Sequence, residues 1–305
     1  MDFNRDFSKN IDASIIIICK NELNRLDKTI DSMIKSKNNY SYEIILIDDG
    51  STDGCCDFIR NNPEKYNQIR IFTGNNFGIA AGRNIGAFLS KGDYLFFFDA
   101  HIEVEDYWID NLINDMLKFK ADAITPIVLD MDDKSIMGCG ATWDEYMNYQ
   151  WLTNIDDNGM EVPFMPGGAC VIKKSIFEEV GGFDKHYGPW GYEDQEMSLK
   201  LWLFGYKIVG DTNVKIAHLF NKSHNFEIDY SAIIYNYIWM IYSHLSTENL
   251  GKALTRYASD KLFPKVAAQA ILNDDLIKQR KDYFAKRKYD DYYFLNKFKI
   301  NFYDE

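Results

Sequence analysis

With 305 residues, 46% of them hydrophobic, and a formal net charge of -12, the chain is large enough to bury a full core in one large domain or one domain with an appendage; its acidity excludes an extended nucleic-acid surface, whose affinity rests on Lys and Arg neutralising phosphates. The start, MDFNRDF, lacks the basic and apolar regions of a signal peptide, and the longest apolar runs fall far short of the roughly 20 residues that span a bilayer, so a soluble chain without a transmembrane segment is expected. Five cysteines, including the vicinal pair Cys55 and Cys56, have no zinc-finger spacing, and reduced thiols in a cytoplasmic protein are the simplest reading.

Residues 14–19 form a β-branched run that predicts a buried strand, followed by the polar turn Lys20, Asn21, Glu22 and a helix over 26–35. Strands are expected over 43–47, 69–73 and 94–98, the last ending at Asp99, with helices over 57–60 and 79–90 between them. A helix over 108–119 and a strand over 123–129 follow. Repeated strand-helix-strand units of this kind imply the α/β class, a mainly parallel sheet with helices on both faces. The stretch to about 165, with Trp143, Tyr146, Tyr149 and Trp151, has weak periodicity and reads either as an edge hairpin or as a wall for an acceptor. Beyond Gly167 and Gly168, a strand over 169–172, helices over 174–180 and 193–204, the latter closed by Gly205, and short strands over 208–210 and 214–217 are expected. From 229 onward the pattern is helical, with Tyr230, Ile233, Ile234, Tyr237, Ile238 and Ile241 on one face and Tyr235, Trp239 and Tyr242 on another. Such a helix is buried on two sides, either between sheet and tail or in a subunit contact. The tail, 278–305, carries eight Lys or Arg against five Asp or Glu and many aromatics, Phe294, Phe298 and Tyr303 among them; it either docks on the core or recognises an acceptor or partner. The expected division is a domain over 1–226 and a helical extension over 227–305, a candidate surface for homo-oligomers.

Five segments carry chemistry, and each lies where a strand ends or a helix begins, the place where open α/β sheets bind ligands. Asp48 and Asp49 open DDGSTDG; Asx turns explain such a run, but two carboxylates at a buried strand end are costly unless they bind something, and a nucleotide base and ribose offer donors. The segment from Asn76 through Gly78 to Arg83 and Asn84 combines small residues with an arginine at a helix start, which suits phosphate oxygens or a tightly packed helix. Asp99 and His101 flank Ala100, and residues two apart on a strand face the same side, so both can grip one divalent ion; carboxylate with imidazole suits Mn²⁺ better than Ca²⁺. His218, after another short strand, is a third ligand or a satisfied core histidine, whereas His186, His224 and His244 have no comparable context. Glu193 and Asp194 begin a helix after the Gly-Pro-Trp-Gly-Tyr turn that contains Trp190. The helix dipole stabilises acids there, a sufficient structural reason, and is expected to keep Asp194 ionised as a general base.

In order and spacing, SIIIICKNE, IDDGSTDG, NFGIAAGRNIGA and FFFDAH resemble the nucleotide-sugar half of the family 2 glycosyltransferases of the GT-A fold, over residues 14–220. With WGYED and AHLF added, the chain is similar to the polypeptide N-acetylgalactosaminyltransferases and the galactosyltransferases. The resemblance implies a Rossmann-like GT-A sheet, a UDP-sugar donor and Mn²⁺ or Mg²⁺. It implies that Asp49 contacts uracil, Arg83 the pyrophosphate region, and Asp99, His101 and His218 the metal. Asp48, Asn76, Gly78, Asp99 and Ala100 would also line the nucleotide-sugar site, with Trp190 in a mobile lid. Two positions depart from the pattern: Tyr192 replaces a glycine of the lid motif, and Asp194 follows Glu193 as in inverting enzymes, where the retaining polypeptide N-acetylgalactosaminyltransferases carry Asn. The expectation is transfer of a hexose or N-acetylhexosamine to a hydroxyl or thiol of a peptide or glycan, with inversion and with Asp194 and Glu193 as the catalytic pair. A retaining transferase with the same donor site and a non-catalytic nucleotide-sugar-binding scaffold are the alternatives. A nucleotidyltransferase would need a Gly-rich basic loop after the first strand, which Lys20, Asn21 and Glu22 do not supply.

Overall fold

The computed structural model describes residues 11–133, 136–154, 157–220 and 228–302; residues 1–7, His224, Tyr303 and the boundary expected at 226/227 lie outside the described residues. Its first half alternates strands with helices: β1 (Ala13–Cys19), α1 (Leu26–Lys35), β2 (Tyr42–Asp48), α2 (Asp57–Arg60), β3 (Ile69–Thr73), α3 (Ile79–Leu89) and β4 (Tyr94–Asp99). There follow β5 (Ile102–Glu103), α4 (Trp108–Phe119), β6 (Ala123–Asp130), β7 (Ile136–Gly138), β8 (Ala141–Trp143), β9 (Tyr149–Trp151) and β10 (Ala169–Lys173). The remainder is α5 (Lys174–Glu179), α6 (Glu193–Phe204), β11 (Ile208–His218) and the C-terminal helices α7 (Tyr230–His244), α8 (Thr247–Leu254), α9 (Phe263–Ile271), α10 (Asp274–Lys286) and α11 (Asp291–Phe298).

Strand order in the main sheet is β3-β2-β1-β4-β10-β6-β11-β5, with β7 paired to β6. β1, β2, β3 and β4 are parallel, and β6 is parallel to β11, while β10 runs antiparallel to both β4 and β6. The sheet is therefore mixed, as expected of the GT-A class, with helices on both faces. Side chains two apart face the same way, so each strand feeds two layers. Ile15, Ile17, Ile44, Leu46, Phe96 and Phe98 join one core with α1 and α4, whereas Ile16, Ile45, Ile47, Leu95 and Phe97 join the other with α3 and α6.

That second core continues into the C-terminal helices through Tyr237, Trp239, Ile241, Leu276 and Phe294. α7 is covered within the chain by α6, α8, α9 and α10, which accounts for its two apolar faces. Tail aromatics dock on the core: Phe298 packs edge-on against Trp202 at 5.0 Å, and Phe294 lies tilted against Phe164 at 5.5 Å. Among the described residues no helix is long and apolar enough to cross a membrane.

Two expectations are corrected. The short strands at 208–210 and 214–217 are one strand, β11, carrying a register shift between Asp211 and Lys215. The Asp211 carboxylate accepts from the amides of Asn213 and Val214 and so absorbs the irregularity, which is why the polar interruption looked like a break. The middle stretch forms the hairpin β8-β9 as a sheet of its own, and Tyr149 and Trp151 nevertheless reach the cleft described next.

Candidate active site

Register brings the chemistry to one edge. Cys19 pairs with Asp48 across β1 and β2, and Ile18 pairs with Asp99 across β1 and β4, so the turns after three strands open at the same level. β5 then folds back on β11, pairing Ile102 with His218, and the Leu219 amide donates to the His101 carbonyl at 3.0 Å. Thr29 of α1 fixes the segment between β4 and β5. Its Oγ1 lies 2.9 Å from the carbonyls of Ala100 and Ile102 and from the Ile102 amide. Asp99, His101 and His218 are thereby gathered with ligand atoms within 4.8 Å of one another.

His218 Nε2 lies 3.1 Å from Asp99 Oδ2, and the two imidazoles meet edge to face at 4.8 Å. Burial pushes the Asp99 carboxyl up, but the hydrogen bond to His218 and the charges of His218, His101 and Arg83 hold it well below the usual carboxylate range. Burial likewise works against a charge on His101, and Glu22 and Asp99 outweigh it, raising the imidazole. The triad fits a divalent cation on three counts. One carboxylate and two imidazoles form a donor set suited to Mn²⁺ or a similar transition ion. His218 Nδ1 and His101 Nδ1 are buried without an aligned hydrogen-bond partner, although Glu22 Oε1 lies 3.3 Å from the latter. Gly168 keeps the space open, since a Cβ there would lie 2.5 Å from Asp99 Oδ2 and 3.3 Å from His218 Nε2. An ion would replace the His218–Asp99 hydrogen bond.

A cavity of about 310 Å³ on one side of the triad is lined by Asp49, Gly78, Arg83, Asp99, Ala100, His101, Trp190 and His218, together with Lys20 and Glu22. Asp49 accepts from the amides of Phe77 and Gly78 at 2.5 and 3.2 Å, which ties the strand-end turn to the start of α3. Gly78 has φ +77° and its missing side chain is required, because a Cβ would lie 2.7 Å from Pro189 Cα. Asp48 and Asn76 are not among the lining residues: Asp48 is buried against Arg60 at 2.7 Å and the Ser51 amide at 2.9 Å, and Asn76 accepts from Lys20 Nζ at 2.5 Å. Arg83 is buried, donating to Glu193 Oε1 at 3.1 Å and the Gly167 carbonyl at 2.6 Å, with Asp99 Oδ1 at 3.7 Å. It faces the cavity as a fixed positive charge.

On the other side of the triad lies a cavity of about 370 Å³ lined by Tyr149, Trp151, Gly167, Gly168, Glu193 and Asp194. Ile79, Arg83, Asp99, Trp190, His218 and Phe220 line both cavities, which makes one cleft of two compartments with Asp99 and His218 of the triad on the shared wall and His101 on the first compartment's side. Glu193 accepts from Arg83 and from the Gly191 amide at 3.1 Å each, so its carboxylate is spent on holding the arginine and the loop before α6. Asp194 accepts from the Gly167 and Gln195 amides at 3.1 and 2.8 Å. Its expected ionisation by the helix dipole is corrected: burial and the neighbouring Glu193 outweigh the pull of Arg83 and those two amides, and its carboxyl is pushed up to about 7. That value suits a group that exchanges protons near neutrality.

Glu22, Thr29, Gly168 and Phe220 were missed as site residues by the sequence reading, whereas Tyr149 and Trp151 belong to the stretch read as an edge hairpin or an acceptor wall. Glycine pairs and aromatics beside a strand are too common to single out; the FFFDAH and AHLF segments carried the signal, but their partners are set by packing.

Residues 14–181 match glycosyl transferase family 2, and residues 159–225 match the N-terminal domain of galactosyltransferase. The chain is 34% identical over 206 residues to polypeptide N-acetylgalactosaminyltransferase 8 of Drosophila melanogaster, covering 62% of this chain and 34% of that protein. It is 28% identical over 251 residues to the inactive polypeptide N-acetylgalactosaminyltransferase-like protein 5 of Macaca fascicularis, covering 75% of this chain and 56% of that protein. The chain thus spans between a third and rather more than half of these two relatives' length. In fold it is similar to GalNAc-T7, solved with UDP, GalNAc and Mn²⁺, at TM-score 0.77 and 22% identity over 95% of this chain and 56% of that one. It is also similar to S. aureus TarS 1-349, solved with UDP, at TM-score 0.57 and 13% identity over 82% of this chain and 73% of that one. With the family match extending across more than half of the chain and containing Asp49, Arg83, Asp99 and His101, the chain belongs to glycosyl transferase family 2.

Proposed function

We propose that this chain is a Mn²⁺-dependent transferase that moves a hexose or N-acetylhexosamine from a UDP-sugar to a peptide hydroxyl or thiol, or to a glycan, with inversion. The observation that carries the reading is the two-compartment cleft, with Asp99 and His218 on the shared wall, His101 beside them in the first compartment and Asp194 in only the second. A fold neighbour solved with UDP and Mn²⁺ supports the donor and the ion, and relatives named as polypeptide N-acetylgalactosaminyltransferases favour a peptide acceptor. One relative is named inactive, but here all three metal-competent residues and both acids of α6 are in place.

Asp99, His101 and His218 would hold the ion, which when bound neutralises charge developing on the departing diphosphate. Asp49 and Gly78 form the base-side end of the donor compartment, and Arg83, held by Glu193, places positive charge beside Asp99. Trp190 sits where it can cover the sugar from either side. Asp194 takes the proton of the acceptor hydroxyl or thiol as the new bond to the anomeric carbon forms and the bond to the diphosphate oxygen breaks. A cytoplasmic setting is part of the proposal and is supported by five cysteines that are free and buried.

The test is incubation with a panel of UDP-sugars and Mn²⁺, reading released UDP with and without candidate peptides. Sugar-dependent release that a chelator abolishes and Mn²⁺ restores is expected, and unchanged release in excess chelator would remove the metal from the mechanism. NMR of product from an α-linked donor should show a β linkage; an α linkage would assign the chain to the retaining class.

A further inference from the structure

A second set of ligating side chains has no part in the transfer chemistry. Cys19 closes β1, and Cys55 and Cys56 lie in the turn that leads into α2. Their sulfurs all lie within 4.8 Å of one another, with Cys19 to Cys56 at 3.5 Å and Cys55 to Cys56 at 3.8 Å. None is more than 2% exposed. Buried thiols serve as small hydrophobes, which explains Cys170 within the sheet core. It does not explain three sulfurs from two distant segments converging edge to edge.

The spacing is that of ligands around one ion. Sulfurs bonded to a common ion at about 2.3 Å lie roughly 3.8–4.0 Å apart in tetrahedral or trigonal-planar arrangement, and a pyramidal ion with a lone pair draws them a few tenths of an ångström closer; the observed 3.5 and 3.8 Å fall across these two cases. No histidine or carboxylate joins the group among the described residues. A structural zinc site is closed by four ligands, whereas soft ions content with three sulfurs need no fourth. Burial adds a charge argument. Three thiolates leave one negative charge on Zn²⁺ and two on Cu⁺, but none on trivalent arsenic, and uncompensated charge in an apolar interior is costly.

We propose that Cys19, Cys55 and Cys56 form a trithiolate site for a soft three-coordinate ion, with trivalent arsenic, supplied as arsenous acid, as its best-matched occupant. Three As–O bonds break and three As–S bonds form; each thiol proton leaves with a hydroxide as water, and arsenic stays trivalent. The peptide frame supports one geometry, since the Asp49 amide donates to the Cys19 carbonyl at 2.9 Å and the Cys55 amide to Asp53 Oδ1 at 3.0 Å.

The test uses the full reduced chain titrated with arsenous acid and read by native mass spectrometry and a free-thiol assay. One arsenic less three hydrogens should be gained, with three of the five thiols lost. Absence of an adduct, or one that consumes two thiols or fewer, would overturn the site. Cys56→Ser should abolish the three-thiol adduct, and Cys139→Ala combined with Cys170→Ala should keep it; loss in the latter would place the arsenic elsewhere. X-ray absorption on the wild-type protein needs no variant and should find three sulfur neighbours, whereas nitrogen or oxygen in the first shell would refute the assignment. Zinc and cuprous arms complete the comparison: weaker binding of each than of arsenous acid supports the charge argument, and tighter zinc binding with a fourth, non-sulfur ligand overturns it.

Discussion

Asp194 is the residue whose chemistry decides the reading, and its environment gives two pH dependences of opposite sign. Its folded value of about 7 stands above the ordinary 3.8, so between those values the folded chain keeps a proton that the unfolded chain has released. The Asp194 contribution to stability is fully present below about 4 and is lost as pH rises through about 7. Activity runs the other way, because a base must be free of its proton; transfer should climb with pH and level off above about 7. Asp194→Asn is expected to keep UDP binding, to lower transfer roughly a hundredfold or more, and to flatten the stability slope, which urea titrations at pH 5 and pH 8 would measure. A variant that retained the wild-type rate profile would leave Asp194 as a helix-start residue only. Gly168 offers an independent probe, since a methyl group there would occupy the space beside Asp99 and His218. Gly168→Ala should weaken Mn²⁺ binding at least tenfold by calorimetry, while Gly251→Ala, whose Cβ meets nothing within 4 Å, should leave it unchanged.

At the scale of elements, α6 does two jobs with opposite demands on its side chains. Its first turn presents Glu193 and Asp194 to the cleft, and its next turns bury Glu196 and Lys200 at 0% exposure with Nζ to Oε2 at 3.1 Å. His244 of α7 meets Glu196 Oε1 at 2.8 Å, and Lys200 Nζ donates to the Gly182 carbonyl at 2.6 Å, so the network fastens α7 and the loop after α5 to α6. Removing one partner of a buried pair leaves an uncompensated charge, and Lys200→Ala should cost roughly 3–5 kcal/mol in urea unfolding, against less than about 0.5 kcal/mol for the exposed Lys286→Ala. Nothing in EDQEMSLKLWLF reveals this, because a helical Glu and Lys four apart are read as a solvated pair until tertiary packing covers them. The same limit separates what was legible from what was not. β1, β2 and β4 are built on apolar runs, and β2 and β4 end in carboxylates, so the strands and the site residues Asp49 and Asp99 could be read directly. β5 has two residues, too few for a period, yet its pairing with β11 is what carries His101 to His218. Tyr149 and Gly168 reach the cleft through a hairpin and a strand entry whose placement depends on contacts far along the chain.

Across the whole molecule, the C-terminal helices act on the cleft as well as on the core. α7 grips the loop that holds Trp190 and leads into Asp194: Asn236 Oδ1 accepts from the Gly188 amide at 2.7 Å, and its Nδ2 donates to the carbonyls of Gly191 at 2.9 Å and Trp190 at 3.2 Å. Tyr192, left-handed at φ +67°, is clasped from the same side by a 2.8 Å hydrogen bond to Tyr257 and by the ring of Tyr237 at 5.1 Å. A non-glycine residue holds that conformation only where its surroundings fix it, so the geometry of the loop depends on a segment over forty residues further along the chain. Asn236 is fully buried, and its loss leaves backbone groups without partners at about 1–3 kcal/mol each. Asn236→Ala should therefore lower the melting temperature by several degrees and lower transfer by far more than the folded fraction explains, with the loss falling on UDP-sugar affinity and turnover together because Trp190 and Asp194 shift as a unit. Circular dichroism and transfer kinetics on the same sample separate the two effects. Activity that fell only in proportion to the unfolded fraction would mean that the extension stabilises the sheet without positioning the cleft.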